Sequence, residues 1–172
     1  DRLQVSPSLL ETTREGVFVE GKSDFYILCW YKEYHDTGCG LDFLPIGGVT
    51  KASALMSLYL GLAYRFVFLI DSDEEGEKSK DRYLRDLPVS EDAFLQIGEV
   101  FGTGKKEIED VISGTLKKVI AKKYGVSKPT KKHIQRAFSE ALSGRNDLPD
   151  DQETLSNLGT LVRDLRTRLE VR

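Results

Sequence analysis

The stretch RFVFLIDSDEEGE, residues 65–77, decides the fold. Five apolar residues, Phe66, Val67, Phe68, Leu69 and Ile70, stop abruptly at Asp71 and Asp73. A short run this rich in aromatic and β-branched side chains predicts a strand buried on both faces. The acids after it mark the strand's carboxyl end, which is where ligands bind in open α/β sheets. On an extended backbone Asp71 and Asp73 project to the same side. Like charges so placed repel unless a cation lies between them, and Mg²⁺ takes such oxygen ligands. The first expectation is therefore a divalent-metal site at the tip of a central strand.

Working outward, the preceding chain alternates. GVFVEG, residues 16–21, predicts a strand ending at Glu20, with Ser23 capping a helix that starts near Asp24. LDFLPIGG, residues 41–48, predicts a second strand that breaks into a glycine pair, and Thr50 caps the helix before residue 65. Strand, helix, strand, helix, strand implies right-handed crossovers and a parallel sheet flanked by helices. Downstream, residues 77–87 predict a polar helix closed by Pro88, residues 93–102 a further strand, and residues 105–113 a short helix. Later helices end at Tyr124-Gly125, run from Pro129 to about Ser143, and close the chain with an amphipathic leucine helix after the loop at residues 144–151. The organisation expected is a polar lead-in over residues 1–14, a catalytic core over 15–113 and a helical extension over 114–172.

The 172 residues suffice for one domain with an appendage. A composition 40% hydrophobic and 31% charged excludes a disordered or fibrous chain. The net charge of −3 says less than its distribution. Acids crowd residues 71–77, whereas residues 117–136 carry eight Lys and Arg and no acid. That basic stretch is either a solvated helical face or a phosphate-binding surface beside the acidic edge. Cys29 and Cys39, the only cysteines, make no disulfide framework and point to a reducing, cytoplasmic setting. No apolar run is long enough for a membrane span, so no membrane partner is expected. The chain begins at Asp1 and its sole methionine is Met56, which reads as a fragment of something longer.

Three pieces of chain thus bring acids towards one sheet edge: Glu20 and Asp24, then Asp71 and Asp73, then Glu109 with Glu107 and Asp110 as its competitors. In order and spacing, Glu20-Gly21-Lys22-Ser23-Asp24, Gly47-Gly48 and Asp71-Ser72-Asp73 resemble the three motifs of the TOPRIM domain. Asp24, the Ile108-Glu109-Asp110 motif and the basic helical tail are most similar to the OLD (overcoming lysogenization defect) nucleases within that superfamily. The resemblance implies a TOPRIM-like parallel sheet and two-metal cleavage of a DNA phosphodiester, as endonuclease or nickase, with two Mg²⁺ or Mn²⁺ ions. It implies Glu20, Asp24, Asp71, Asp73 and Glu109 as metal ligands. Asp71 would bridge the ions, and the catalytic group would be Glu20, Asp71 and a late lysine, Lys132, with Lys128 and Lys131 as alternatives. Gly47 and Gly48 would let the backbone pass close to the metals or a phosphate. The family places an ABC-type ATPase amino-terminal to such a domain and suggests a homo-oligomer through the full-length protein. A non-cleaving RecR-type binding module, an RNA-processing TOPRIM nuclease and a receiver-like phosphoacceptor domain remain the alternatives.

Overall fold

A computed structural model describes residues 15–47, 49–102, 104–144 and 146–171, and the side chains of residues 49–51 are outside it. The lead-in at residues 1–14 and Gly48 therefore lie outside the described residues, and the helix before residue 65 begins at Val49, so Thr50 stands inside its first turn and is not its cap. Four parallel strands form one sheet: β1 (Glu15–Val19), β2 (Asp42–Pro45), β3 (Arg65–Ile70) and β4 (Phe94–Gln96), in the order β2-β1-β3-β4. Pairing runs from Val17 to Phe43 on one side of β1 and to Val67 on the other, while Leu69 pairs with Leu95. Chain direction across the sheet reverses between β1 and β3, so a crevice opens beyond the carboxyl ends of these two strands. This is the parallel, helix-flanked arrangement expected, consistent with a TOPRIM-like fold.

The helices are α1 (Lys22–His35), α2 (Val49–Gly61), α3 (Glu74–Asp86), α4 (Ile97–Phe101), α5 (Ile108–Val111), α6 (Gly114–Lys123), α7 (Lys131–Leu142) and α8 (Gln152–Glu170). Alternation along the strands feeds two cores. Phe18, Phe66, Phe68 and Phe94 pack with Met56 and Tyr59 of α2 and Tyr83 of α3 on one face. Each phenylalanine buried there contributes roughly 1.5–3 kcal/mol. Val17, Val19, Val67 and Leu69 face a larger core shared with Ile27 and Trp30 of α1, Phe138 of α7 and Leu161 and Leu165 of α8. The helical extension is thus continuous with the sheet's own core. Trp30 meets Phe138 edge-on at 5.1 Å, and Arg166 of α8 donates to the Cys39 carbonyl at 2.8 Å.

Three local expectations are corrected. Residues 93–102 are a three-residue strand followed by α4, because Glu99 Oε1 accepts from the Gln96 N–H and caps a helix where a longer strand was expected. The first helix is capped from inside: α1 begins at Lys22, Asp24 Oδ2 accepts from the Gly21 N–H at 2.8 Å, and Ser23 is buried. The helix after Pro129 starts two residues later, at Lys131, with Thr130 as its N-cap. Among the described residues no helix is long and apolar enough to cross a membrane.

Candidate functional site

The crevice at the strand-order reversal is an open cleft of about 340 Å³ lined by Glu20, Gly47, Asp71, Asp73, Glu75 and Glu107, among others. Lys131 is the only cation lining it among the described residues. The acids from β1 and β3 therefore meet in one cleft. Asp24 and Glu109 lie behind it, buried at 5% and 6% exposure.

Each carboxylate is set by its local fold. Glu20 directly follows β1, where burial raises its pKa, hydrogen bonds from Ser79 and Tyr83 partly oppose this, and the charges of Glu75 and Asp73 add to the rise. Asp71 directly follows β3. Burial, then the charge of Asp24, pushes its pKa up to about 8, with Lys131 opposing. Asp73 caps α3, its Oδ1 accepting from the Gly76 N–H at 2.8 Å. Asp24, in the first turn of α1, spends Oδ2 on Gly21 while Oδ1 is buried without a hydrogen bond. Burial drives its pKa up to about 6, the Gly21 N–H opposing and Glu109 reinforcing.

The single turn α5 settles the choice among its acids. Asp110 Oδ2 accepts from the N–H groups of Lys106 and Glu107, so Asp110 is a cap. Glu107 lies half-exposed on the cleft wall. Glu109 turns inwards between buried Ile108 and Val111, and neither of its oxygens accepts a hydrogen bond. The Lys131 ammonium stands 3.4 Å from Glu109 Oε2, 3.6 Å from Glu107 Oε2 and 3.8 Å from Asp71 Oδ2. Burial works against that ammonium, but Glu109, Asp71, Glu107 and Asp24 outweigh it and raise the Lys131 pKa. Lys132 is exposed and makes none of these contacts. The lysine that reaches the carboxylates is thus Lys131, the first residue of α7, one of the two alternatives to Lys132. Gly47, at φ 46°, lines the cleft.

The sequence reading missed the groups that hold the Asp71–Asp73 turn. Ser72 accepts from the Gly98 N–H at 2.6 Å through Oγ and donates its own N–H to the Lys106 carbonyl at 2.7 Å. A Cβ on Gly76 would come within 2.1 Å of the Asp71 carbonyl oxygen. The available signal was a glycine three residues after an N-cap aspartate, where a helix start passes closely over a strand end.

Among the described residues no three His, Cys, Asp or Glu side chains are close enough to hold a metal ion as they stand. The donor set nonetheless fits a hard divalent cation. It offers only oxygen ligands, three of the buried oxygens lack a hydrogen bond, and one ammonium faces a cleft lined by five acids.

No family model matches the chain, and no curated protein matches it. The chain is similar to the solved C-terminal region of the Burkholderia pseudomallei OLD protein, at 16% identity and a TM-score of 0.41, over 92% of this chain and 96% of that one.

Proposed function

We propose that this chain is a divalent-metal-dependent endonuclease or nickase domain that cleaves DNA phosphodiesters. The observation that carries the reading is the convergence of Glu20, Asp71 and Asp73 from two strand ends in one cleft, with Asp24, Glu109 and Lys131 directly behind or beside them. A binding module has no use for so many poorly solvated acids. Glu20, Asp24, Asp71, Asp73 and Glu109 would hold two Mg²⁺ or Mn²⁺ ions, Asp71 contributing to both. Such ions lower the pKa of bound water and stabilise the attacking and leaving oxygens of an in-line displacement.

The residues have separable tasks. Asp73, fixed by its bond from Gly76, keeps one oxygen free for the cleft. Asp24 and Glu109 supply a buried negative floor. Lys131 balances that floor in the resting protein and, once the carboxylates are otherwise neutralised, its ammonium is free to hydrogen-bond a phosphate oxygen as negative charge builds there. Gly47 leaves the rim open to a sugar–phosphate backbone. On the family resemblance, an ABC-type ATPase and self-association of the full-length protein would act upstream of this chemistry.

The test is nicking of a supercoiled plasmid in Mg²⁺, Mn²⁺ or Ca²⁺, alongside a matched RNA. Metal-dependent DNA nicking that falls to background in Asp71→Ala supports the proposal. Cleavage of RNA alone would move the substrate class. Equal activity in the variant would reject the site.

A further inference from the structure

The fold sorts six of the eight basic residues of 117–136 into two groups. Lys123 is paired with Glu140 at 3.0 Å and Asp147 at 2.8 Å, and Arg136 with Glu140 at 2.7 Å. The Lys123–Glu140 pair ties α6 to α7, and the Arg136–Glu140 pair lies within α7. Lys117 and Lys118 of α6, Lys128 of the connecting loop and Lys131 of α7 instead line a second open cleft of about 370 Å³. Lys117, Lys118 and Lys128 form no ion pair with a described residue. Glu107, Glu109 and Lys131 border this cleft, and Glu107 and Lys131 also line the acidic one, so the two share a wall.

We infer that the basic cleft between α6 and α7 is a subsite for backbone phosphates of the substrate strand next to the bond being cut. This rests on the nuclease reading for its direction and on the cleft itself for its chemistry. A chain of phosphodiesters crossing the acidic cleft must continue somewhere, and the shared wall leads into a groove whose unpaired ammonium groups can meet successive phosphates. Three lysines attract any phosphate backbone without reading bases, so the subsite adds affinity and register, not sequence preference. The acids on its rim discourage a strand from lying across both clefts until the acidic one has been neutralised, which makes strand binding depend on divalent cation.

Fluorescence anisotropy of a labelled 20-nucleotide phosphorothioate single strand, measured in Mg²⁺ on the protein with Asp71 intact and with a denaturing gel to verify that the strand stays whole, tests this apart from catalysis. Adding Lys117→Glu and Lys128→Glu is expected to weaken binding about tenfold or more. It should also flatten the plot of log K against log salt by about 0.7 for each phosphate that the protein no longer neutralises. Lys122→Glu, an exposed lysine of the same helix outside the cleft, is expected to change neither. Circular dichroism of each variant confirms that it folds. Equal weakening by Lys122→Glu, or none by the paired substitution, overturns the subsite. Selective competition by inorganic phosphate at constant ionic strength, with strand binding unchanged in the variants, would reassign the cleft to a free phosphate and also overturn it. If binding behaves as expected but the unmutated protein never nicks DNA, the subsite stands and the nuclease proposal fails.

Discussion

The acidic cleft and the basic cleft share a wall yet are built by opposite means. The acidic one draws its side chains from strand ends and first helical turns, where backbone position is fixed by the sheet. Its charges are partly buried and mutually repelling, so that burial lifts Asp71 to about 8 and Asp24 to about 6. The basic one draws exposed or half-exposed lysines from two helices and a loop, where each charge is solvated and adjustable. The acids are therefore costly to leave charged without a counter-charge, whereas the lysines need no partner to be stable. Lys131 belongs to both and couples them.

The sharpest way to break this comparison is to remove the coupling residue. Lys131→Met should reduce nicking by about 10²–10³-fold, in the range for losing one group that meets transition-state charge. Normal activity in that variant would divorce the two clefts. Gly76→Ala should come next, because its Cβ would meet the Asp71 backbone. We expect a loss of about 1–3 kcal/mol by overpacking, read in urea unfolding, together with lower activity. An unchanged midpoint would show that the acidic turn is not rigid.

A pH series distinguishes the clefts more gently. In EDTA the folded protein holds protons on Asp71 and Asp24 that the unfolded chain releases near the ordinary value of 3.8. Their contribution to stability is therefore full below about pH 4 and is lost as pH rises through about 6 and then about 8. The melting temperature should fall over that window, and Mg²⁺ should flatten the fall by favouring the charged carboxylates. A slope unaffected by Mg²⁺ would contradict metal binding by these groups. The smallest effect belongs to Lys132→Met, which should change stability by less than about 0.5 kcal/mol and leave nicking intact.

How far the sequence carried this picture depends on the kind of signal. The ends of β1 and β3 were legible because a buried parallel strand is a continuous apolar run and its end is a polar break, as at Ile70-Asp71. The order β2-β1-β3-β4 was not, since apolar runs do not record their neighbours. Lys131 stood only as an alternative to Lys132, and helix phase is what separates them. Taking the helix to begin at Pro129 leaves its phase unanchored, and consecutive residues point about 100° apart on a helix, so a slip of one residue moves a side chain out of the cleft. Glu109 was preferred to its competitors Glu107 and Asp110 without a geometric reason, and the cap made by Asp110 removes one of the two. Ser72 carried no periodic signal, because its bond to Gly98 joins positions 26 residues apart.

The central claim is that acids from separate strand ends jointly take up divalent cations, and Mn²⁺ titration followed by electron paramagnetic resonance tests it most directly. Saturable binding of two ions per chain is expected near pH 8, weakened as the pH falls towards 6 and reduced to at most one weak ion in Asp71→Asn. Binding of the same number of ions with the same affinity in Asp71→Asn, or no uptake at millimolar Mn²⁺, would contradict it.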